Sequence, residues 1–403
     1  MFELLFFIFA ALQAQRMIVG NTLSTKRLPY PRSNLLCILR QRRLLRGGGL
    51  SILLSHKLIG PMGVRNSRHF IFSILLRFNL IPELKLVKRM SGNNPVFHPN
   101  GGILLSKPNK GPEDDEDFEY GDLFEYYKSP SPLNASSIFR HASLGQNTPI
   151  QLMVMHPSGK LFFMGCYDIS GTYSLVCYRF AENDTIVHHT ILHGHQDSVN
   201  AIAIDSAGHI MVSGSSVDVI VWQISANGDI ISIIRRYNFG MCTQCLAFHP
   251  EKLILAAGGL CNNVSLWEVE PNGNLHSLSL LKGHTSYVLD VKFLPKDTVA
   301  TAGTDKTIFI WKTYSNYKEV ICLNIIRAHE GRVSKLYFHS NGRIMVSASG
   351  DRKLIVWWLS DDNSSATQIQ VLDGHHCGVE QVVLDPSGRQ LVSSGSNELI
   401  VWE

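Results

Sequence analysis

The chain has 403 residues, 45% apolar and 17% charged, which gives it the material for a large buried core and excludes the disordered and collagen-like classes. Its net charge of +4 hides an asymmetry: residues 1–89 hold 15 Lys or Arg against Glu3 and Glu83, which leaves 22 basic against 31 acidic residues in 90–403. An acidic main portion speaks against nucleic acid as a direct partner.

Residues 1–89 form a basic N-terminal extension. It opens on the apolar run "MFELLFFIFAALQAQ", without the basic start of a secretory signal, and continues Arg-rich and acid-poor in the manner of a mitochondrial presequence. Three readings stay open: a targeting segment, a genuine basic extension that is poorly ordered, or a stretch outside the functional chain, which then starts at Met90. A cytoplasmic or nuclear location follows from the last two, a mitochondrial or secretory one from the first. The apolar run "HFIFSILLRFNLI" contains Arg77 and is too short to cross about 30 Å of hydrocarbon, so no transmembrane segment is expected.

From residue 90 onward the pattern is short alternating runs broken by Pro, Gly, Asn and Asp, the mark of antiparallel strands. Residues 90–146 read as a divergent first unit. "VFHPNGGILLS" supplies two strands, "DLFEYYK" a third and "SSIFRHASL" a fourth. An acidic loop, 107–122, interrupts this unit with six acidic residues between Glu113 and Glu119. Ser129 and Ser131 each precede Pro in "KSPSP" and are candidates for phosphorylation, which would extend the negative charge.

Residues 147–403 are periodic. Tyr178, Trp222, Trp267, Trp311, Trp357 and Trp402 follow one another at intervals of 44, 45, 44, 46 and 45 residues. His195, His284, His329 and His375 keep phase with them, 27, 27, 28 and 27 residues before the next Trp of the series. These six units, with "TAGTDKTIFIW" and "SASGDRKLIVW" as the best-formed segments, resemble the WD-repeat β-propeller family, all-β disks of four-stranded blades around a channel. The resemblance implies a hydrogen-bonded set of His, Ser or Thr, Asp and Trp within each blade. Two sets are complete: His284, Thr301, Asp305, Trp311, and His329, Ser347, Asp351, Trp357. His195, Ser213 and Trp222 form a third that lacks Asp at the matching position, with Asp218 nearby. His375 and Trp402 belong to a fourth, whose turn is one residue short and offers Asn397. The repeat ending at Trp267 has Ala257 and Cys261 where hydroxyl and carboxylate are expected. These departures predict blades that lean on apolar packing.

Seven blades are preferred, with six the alternative, because 314 residues from Met90 onward match seven units of about 45. The chain stops one residue past Trp402, so the last blade lacks an outer strand and must borrow one: "ELKLVKR" in the seven-blade arrangement, "SSIFRHASL" in the six-blade one.

No GxGxxG after a strand, GxxxxGK[ST], HExxH or GxSxG motif is present, so no enzyme activity, cofactor or small-molecule substrate is expected. Cys242 and Cys245 form a CxxC without a second ligand pair, and no metal is assigned; the other cysteines, Cys37, Cys166, Cys177, Cys261, Cys322 and Cys377, show no disulfide spacing. By resemblance the chain is a scaffold for other proteins or peptide segments. The alternatives are a substrate-recognition subunit of a ubiquitin ligase and a subunit of an RNA-processing complex. The family pattern places partner-facing residues at Ser198, Asn200, Gln244, Tyr287, Leu289, Thr304, Arg332, Ser334 and Glu380, with Tyr287 and Arg332 foremost because Tyr and Arg are enriched at hot spots.

Overall fold

A computed structural model describes residues 84–91, 93–97, 99, 152–167, 173–181, 186–225, 228, 231–238, 242–339, 341–385, 390–396 and 398–403, together with the strand backbones of 103–108, 122–127 and 137–140. Among the described residues every regular element is a strand. Residues 109–121 of the acidic loop, Ser129, Ser131, Cys37 and Asn397 lie outside the described residues, as does the basic extension before residue 84, while 107, 108 and 122 fall in strands.

The strands form seven four-stranded antiparallel sheets. After β1 (Leu86–Ser91), the first sheet is β2 (Asn93–Phe97), β3 (Ile103–Pro108), β4 (Asp122–Tyr127) and β5 (Ser137–Arg140). The second is β6 (Leu152–Met155), β7 (Leu161–Tyr167), β8 (Tyr173–Phe180) and β9 (Ile186–His193); the third is β10 (Val199–Ile204), β11 (Ile210–Ser215), β12 (Val219–Ile224) and β13 (Ile231–Tyr237). β14 (Thr243–Phe248), β15 (Ile254–Gly259), β16 (Asn263–Val269) and β17 (Leu275–Lys282) make the fourth, and β18 (Val288–Leu294), β19 (Thr298–Gly303), β20 (Ile308–Tyr314) and β21 (Glu319–Ile326) the fifth. β22 (Val333–Phe338), β23 (Ile344–Ser349), β24 (Lys353–Leu359) and β25 (Ala366–Asp373) complete the sixth. The last comprises β26 (Gln381–Leu384), β27 (Leu391–Gly395) and β28 (Glu398–Trp402), closed by β1 in the order β1-β28-β27-β26.

The first strand of each sheet neighbours the first strand of the next, β2 to β6 and onward to β26, which returns to β2. The result is a closed ring around a channel lined by these seven strands. Apolar side chains fill the spaces between successive sheets. Val212, Val219 and Val221 pack with Leu246 and Leu255 of the next sheet, and Ala302, Ile308 and Ile310 with Leu336 and Trp357. Phe97 of β2 packs with Val392 and Val401, which closes the core around the ring. β11, β15 and β19 are buried at every residue, as central strands sandwiched on both faces must be.

The periodic aromatics have a local reason. Tyr178, Trp222, Trp267, Trp311 and Trp357 each follow a register shift between the third and fourth strands of their sheets, where a bulge re-aims the side chain. Trp402 pairs with Leu86 beside the equivalent shift against β1. Trp222, Trp311, Trp357 and Trp402 are nearly fully buried.

β1 begins before the boundary drawn at residue 89/90. Residues 86–89 belong to the closing sheet together with Met90 and Ser91, because β1 pairs along the outer edge of β28. Lys85 and Glu403 exchange both backbone hydrogen bonds, and the Gln370 amide donates to Leu84 O while accepting from Leu84 N. The borrowed strand is the one read as "ELKLVKR".

Candidate protein-interaction face

The antiparallel order places two loops of each sheet on one face of the ring: the loop entering the first strand, which carries the His marker, and the turn between the second and third strands, which carries the carboxylate. Beneath this face lie the polar sets. In the fifth sheet His284 Nδ1 lies 2.9 Å from Asp305 Oδ2 and Nε2 lies 2.8 Å from Thr301 Oγ1, which also accepts from Trp311 Nε1 at 3.0 Å. The sixth repeats this: His329 to Asp351 at 2.9 Å, His329 to Ser347 at 2.7 Å, and Trp357 to Ser347 at 2.9 Å. Asp305 and Asp351 also accept from the backbone N–H of Thr285 and Glu330, which ties the entering loop to the turn.

The directions of these bonds follow from chemistry. Indole Nε1–H only donates and an ionised carboxylate only accepts, so the hydroxyl must donate to His Nε2, and His Nδ1–H must donate to the acid. The chain Trp→hydroxyl→His→acid satisfies every member with a neutral imidazole. Burial pulls His284 and His329 below their ordinary value of 6.5, against the opposing pull of their acids. Burial alone would raise Asp305 and Asp351. Hydrogen bonds, led by Thr307 Oγ1 for Asp305 and His329 for Asp351, bring both below the usual carboxylate value.

Two sets expected to be incomplete are complete. In the third sheet His195 bonds to Asp218 and to Ser213 Oγ at 2.6 Å, which accepts from Trp222 Nε1 at 2.7 Å. In the last, His375 bonds to Glu398 Oε2 at 3.0 Å and to Ser393 Oγ at 2.7 Å, with Trp402 Nε1 to Ser393 Oγ at 2.8 Å. Both hydroxyls stand nine residues before their Trp rather than ten, and both acids four before rather than six. Glu398 starts the third strand of its sheet and Asp218 immediately precedes it, two residues closer to the Trp than Asp305 and Asp351 are. In the last sheet the acceptor is Glu398. Hydrogen bonds from His376 and His375 outweigh burial and hold the Glu398 carboxyl down to about 2.

The other two recurrent sheets do depart. In the fourth, Cys261 is exposed, Ala257 is buried, and Trp267 is only half-buried. In the second, Tyr178 stacks on its register partner Phe162 with centroids 5.2 Å apart and meets His188 edge-on.

Ser–His–Asp connectivity also belongs to nucleophilic catalysis, but here the hydroxyls of Ser213, Thr301, Ser347 and Ser393 are buried and the indole covers the lone pair. No substrate carbonyl can reach them. Ligand atoms of His375, Cys377 and Glu398 come within 4.8 Å of one another, yet both nitrogens of His375 are already bonded and Glu398 carries Arg89, so this cluster is spent on the fold. Burial pushes the Cys245 thiol up to about 12, which keeps this half of the CxxC protonated. Asn363, in the glycosylation sequon "NSS", is buried with positive φ, its amide donating to Pro295 O and Thr298 Oγ1.

Of the residues expected to face partners, Tyr287 is the most prominent apolar one, 46% exposed. Its carbonyl accepts from Thr304 N at 2.9 Å, and Thr304 Oγ1 donates to Ser286 Oγ, so its position is fixed by the neighbouring turn. Arg332 and Glu380, both exposed, form a 3.5 Å ion pair between consecutive sheets. Ser198 and Leu289 are half-buried beside the entering strands; Asn200 donates to Thr243 O of the next sheet, and Gln244 lines the channel. Ser334 is buried, its hydroxyl donating to Val379 O of the next sheet with Ala348 O 3.1 Å away, and so ties two sheets rather than facing outward.

The opposite face carries a link that the motif pattern does not contain. Tyr317, buried and left-handed, donates its hydroxyl to Asp297 at 2.7 Å, and Asp297 pairs with Lys252 of the preceding sheet at 2.8 Å. The channel has a volume of about 430 Å³ and is lined by Asn200, Gln244, Asp290, Lys292, Lys335 and Gln381 among others.

Residues 186–218, 275–312, 320–357 and 366–403 match the family described as WD domain, G-beta repeat. The chain is 31% identical over 170 residues to nuclear distribution protein PAC1 of Arthroderma otae, covering 39% of this chain and 35% of that protein. It is 30% identical over 162 residues to pre-mRNA-processing factor 19 of Oryza sativa subsp. japonica, covering 38% and 29%. Against protein HIR1 of Mycosarcoma maydis it is 26% identical over 181 residues, covering 39% and 17%. The chain thus spans about a third or less of the length of the relatives it matches. The chain carries four stretches that match WD repeats, and each holds the His and the acid of one of the four polar sets.

Proposed function

We propose that this chain is a non-catalytic scaffold whose His-marker face holds other proteins or peptide segments within a multiprotein complex. One observation carries the reading: the residues that could do chemistry are consumed in internal ties, while Tyr287 and the Arg332–Glu380 pair stand exposed on a face held rigid by those ties. Ser198, Asn200, Gln244, Leu289 and Thr304 surround them as lesser contacts. The scaffold needs no cofactor and turns over no small molecule. Work in the cytoplasm or nucleus accords with relatives named for nuclear distribution and pre-mRNA processing. Among the described residues no helix is long and apolar enough to cross a membrane.

A role as subunit of an RNA-processing complex is the second reading, favoured by the similarity to a pre-mRNA-processing factor. In it the propeller contacts protein subunits rather than RNA. Affinity purification with mass spectrometry, comparing wild type with Tyr287→Ala and Arg332→Ala, tests both. Loss of specific copurifying proteins at unchanged melting temperature supports the scaffold. An unchanged protein set for both variants overturns the assignment to this face.

A further inference from the structure

The channel holds a charge imbalance. Asp290, the one carboxylate among its described lining residues, is buried on β18, and Oδ2 accepts from Leu336 N of the next sheet at 2.8 Å. Its Oδ1 lies 3.7 Å from Lys292 Nζ and 3.5 Å from Lys335 Nζ. Both ammonium groups are thus opposed by a single carboxylate already bonded to backbone. Among the described residues neither ammonium has another ionic partner, and their side chains stay 39% and 27% exposed while that of Asp290 is 3% exposed. One lysine would neutralise Asp290; the second is surplus. This surplus stands inside a portion of the chain that is acidic as a whole, with 22 basic against 31 acidic residues from 90 to 403.

The surrounding groups do not cancel it. Cys245, which also lines the channel, keeps its proton because burial pushes its thiol up to about 12. Asn200, Gln244 and Gln381 contribute neutral amides. A volume of about 430 Å³ admits an extended side chain but no folded element. We infer that the channel receives an acidic side chain, Glu or Asp, from a bound peptide and holds its carboxylate between Lys292 and Lys335. This rests on the reading of the ring as an interaction platform and names the peptide chemistry it selects. A carboxylate placed there makes charge-assisted contacts to both ammonium groups.

The test uses the full chain and fluorescein-labelled octa-glutamate, with octa-glutamine as neutral comparison, read by anisotropy at fixed moderate salt. Lys292→Met and Lys335→Met each leave Asp290 one ammonium, and each is expected to weaken octa-glutamate binding about fivefold. Asp290→Asn, which keeps an acceptor for Leu336 N, is expected to tighten it by about the same factor, a gain that misfolding cannot imitate. Lys318→Met, on an exposed turn far along the sheet, should leave binding unchanged and so accounts for adventitious attraction to basic regions. Channel variants that bind octa-glutamate as wild type does, or an Asp290→Asn variant that fails to bind more tightly, overturn the proposal. Copurifying proteins that are lost with Tyr287→Ala but kept with Lys292→Met would leave the scaffold reading standing while the channel proposal falls.

Discussion

Arg89 and Glu398, 309 positions apart in the chain, meet in a 2.6 Å ion pair that joins the borrowed strand to the last sheet. The same carboxylate holds His375 and His376, so one acidic group serves both the ring closure and the internal tie of its sheet.

Closure should depend on the strand more than on the pair. The Arg89 side chain is 39% exposed, and exposed pairs contribute about 0–1 kcal/mol, so Arg89→Met should shift stability by no more than that. Deleting residues 84–91 removes the partner of β28 and uncovers Leu372 and Trp402 of the adjoining core. Loss of a single cooperative melt, with aggregation on heating, is the expected outcome by scanning calorimetry.

Asp218→Ala should cost as much as Asp305→Ala, about 1–3 kcal/mol each in urea unfolding, since either leaves a buried imidazole N–H without its acceptor. A near-neutral Asp218→Ala would restore the expectation that the third sheet relies on apolar packing alone.

Acid should destabilise the ring in two stages. His195, His284, His329 and His375 are buried neutral, with values lowered from 6.5 chiefly by burial. The unfolded chain therefore binds protons at 6.5 that the folded chain resists. Stability is complete above that value and declines as pH falls below it through the lowered ones. Asp305, Asp351 and Glu398, held below their ordinary values, add a further loss at lower pH, in the range where unfolded carboxylates take up protons. Urea midpoints measured from about pH 7 to about pH 4 should fall throughout; a flat profile would mean that the imidazoles are not held neutral.

Tyr317→Phe should cost about 1 kcal/mol by removing the hydroxyl that bonds Asp297, with little change at the His-marker face. Equal partner recovery in affinity purification, beside a lowered melting temperature, would separate the two faces.

The strands, their turns and the two best-formed sets were legible because identical residue types recur at a fixed period, and recurrence exposes a pattern that no single repeat would. Asp218 and Glu398 escaped a template of fixed spacing. An altered turn moves the acid to the start of the third strand or the residue just before it, where three-dimensional reach, not offset from Trp, decides the partner. The Tyr317–Asp297–Lys252 link and the burial of Ser334 are contacts between sheets, and periodicity within a repeat carries no information about them. Residues 86–89 looked like part of a basic extension by composition, yet the unsatisfied edge of β28 recruits them.

The most direct test of the His-centred ties is a double-mutant cycle at Ser347 and Asp351, which bond the two nitrogens of the one imidazole of His329. If the imidazole couples them, the stability losses of Ser347→Ala and Asp351→Ala should depart from additivity by about 0.5–3 kcal/mol in urea unfolding. Losses that add to within about 0.3 kcal/mol would contradict a connected tie and leave three independent contacts in its place.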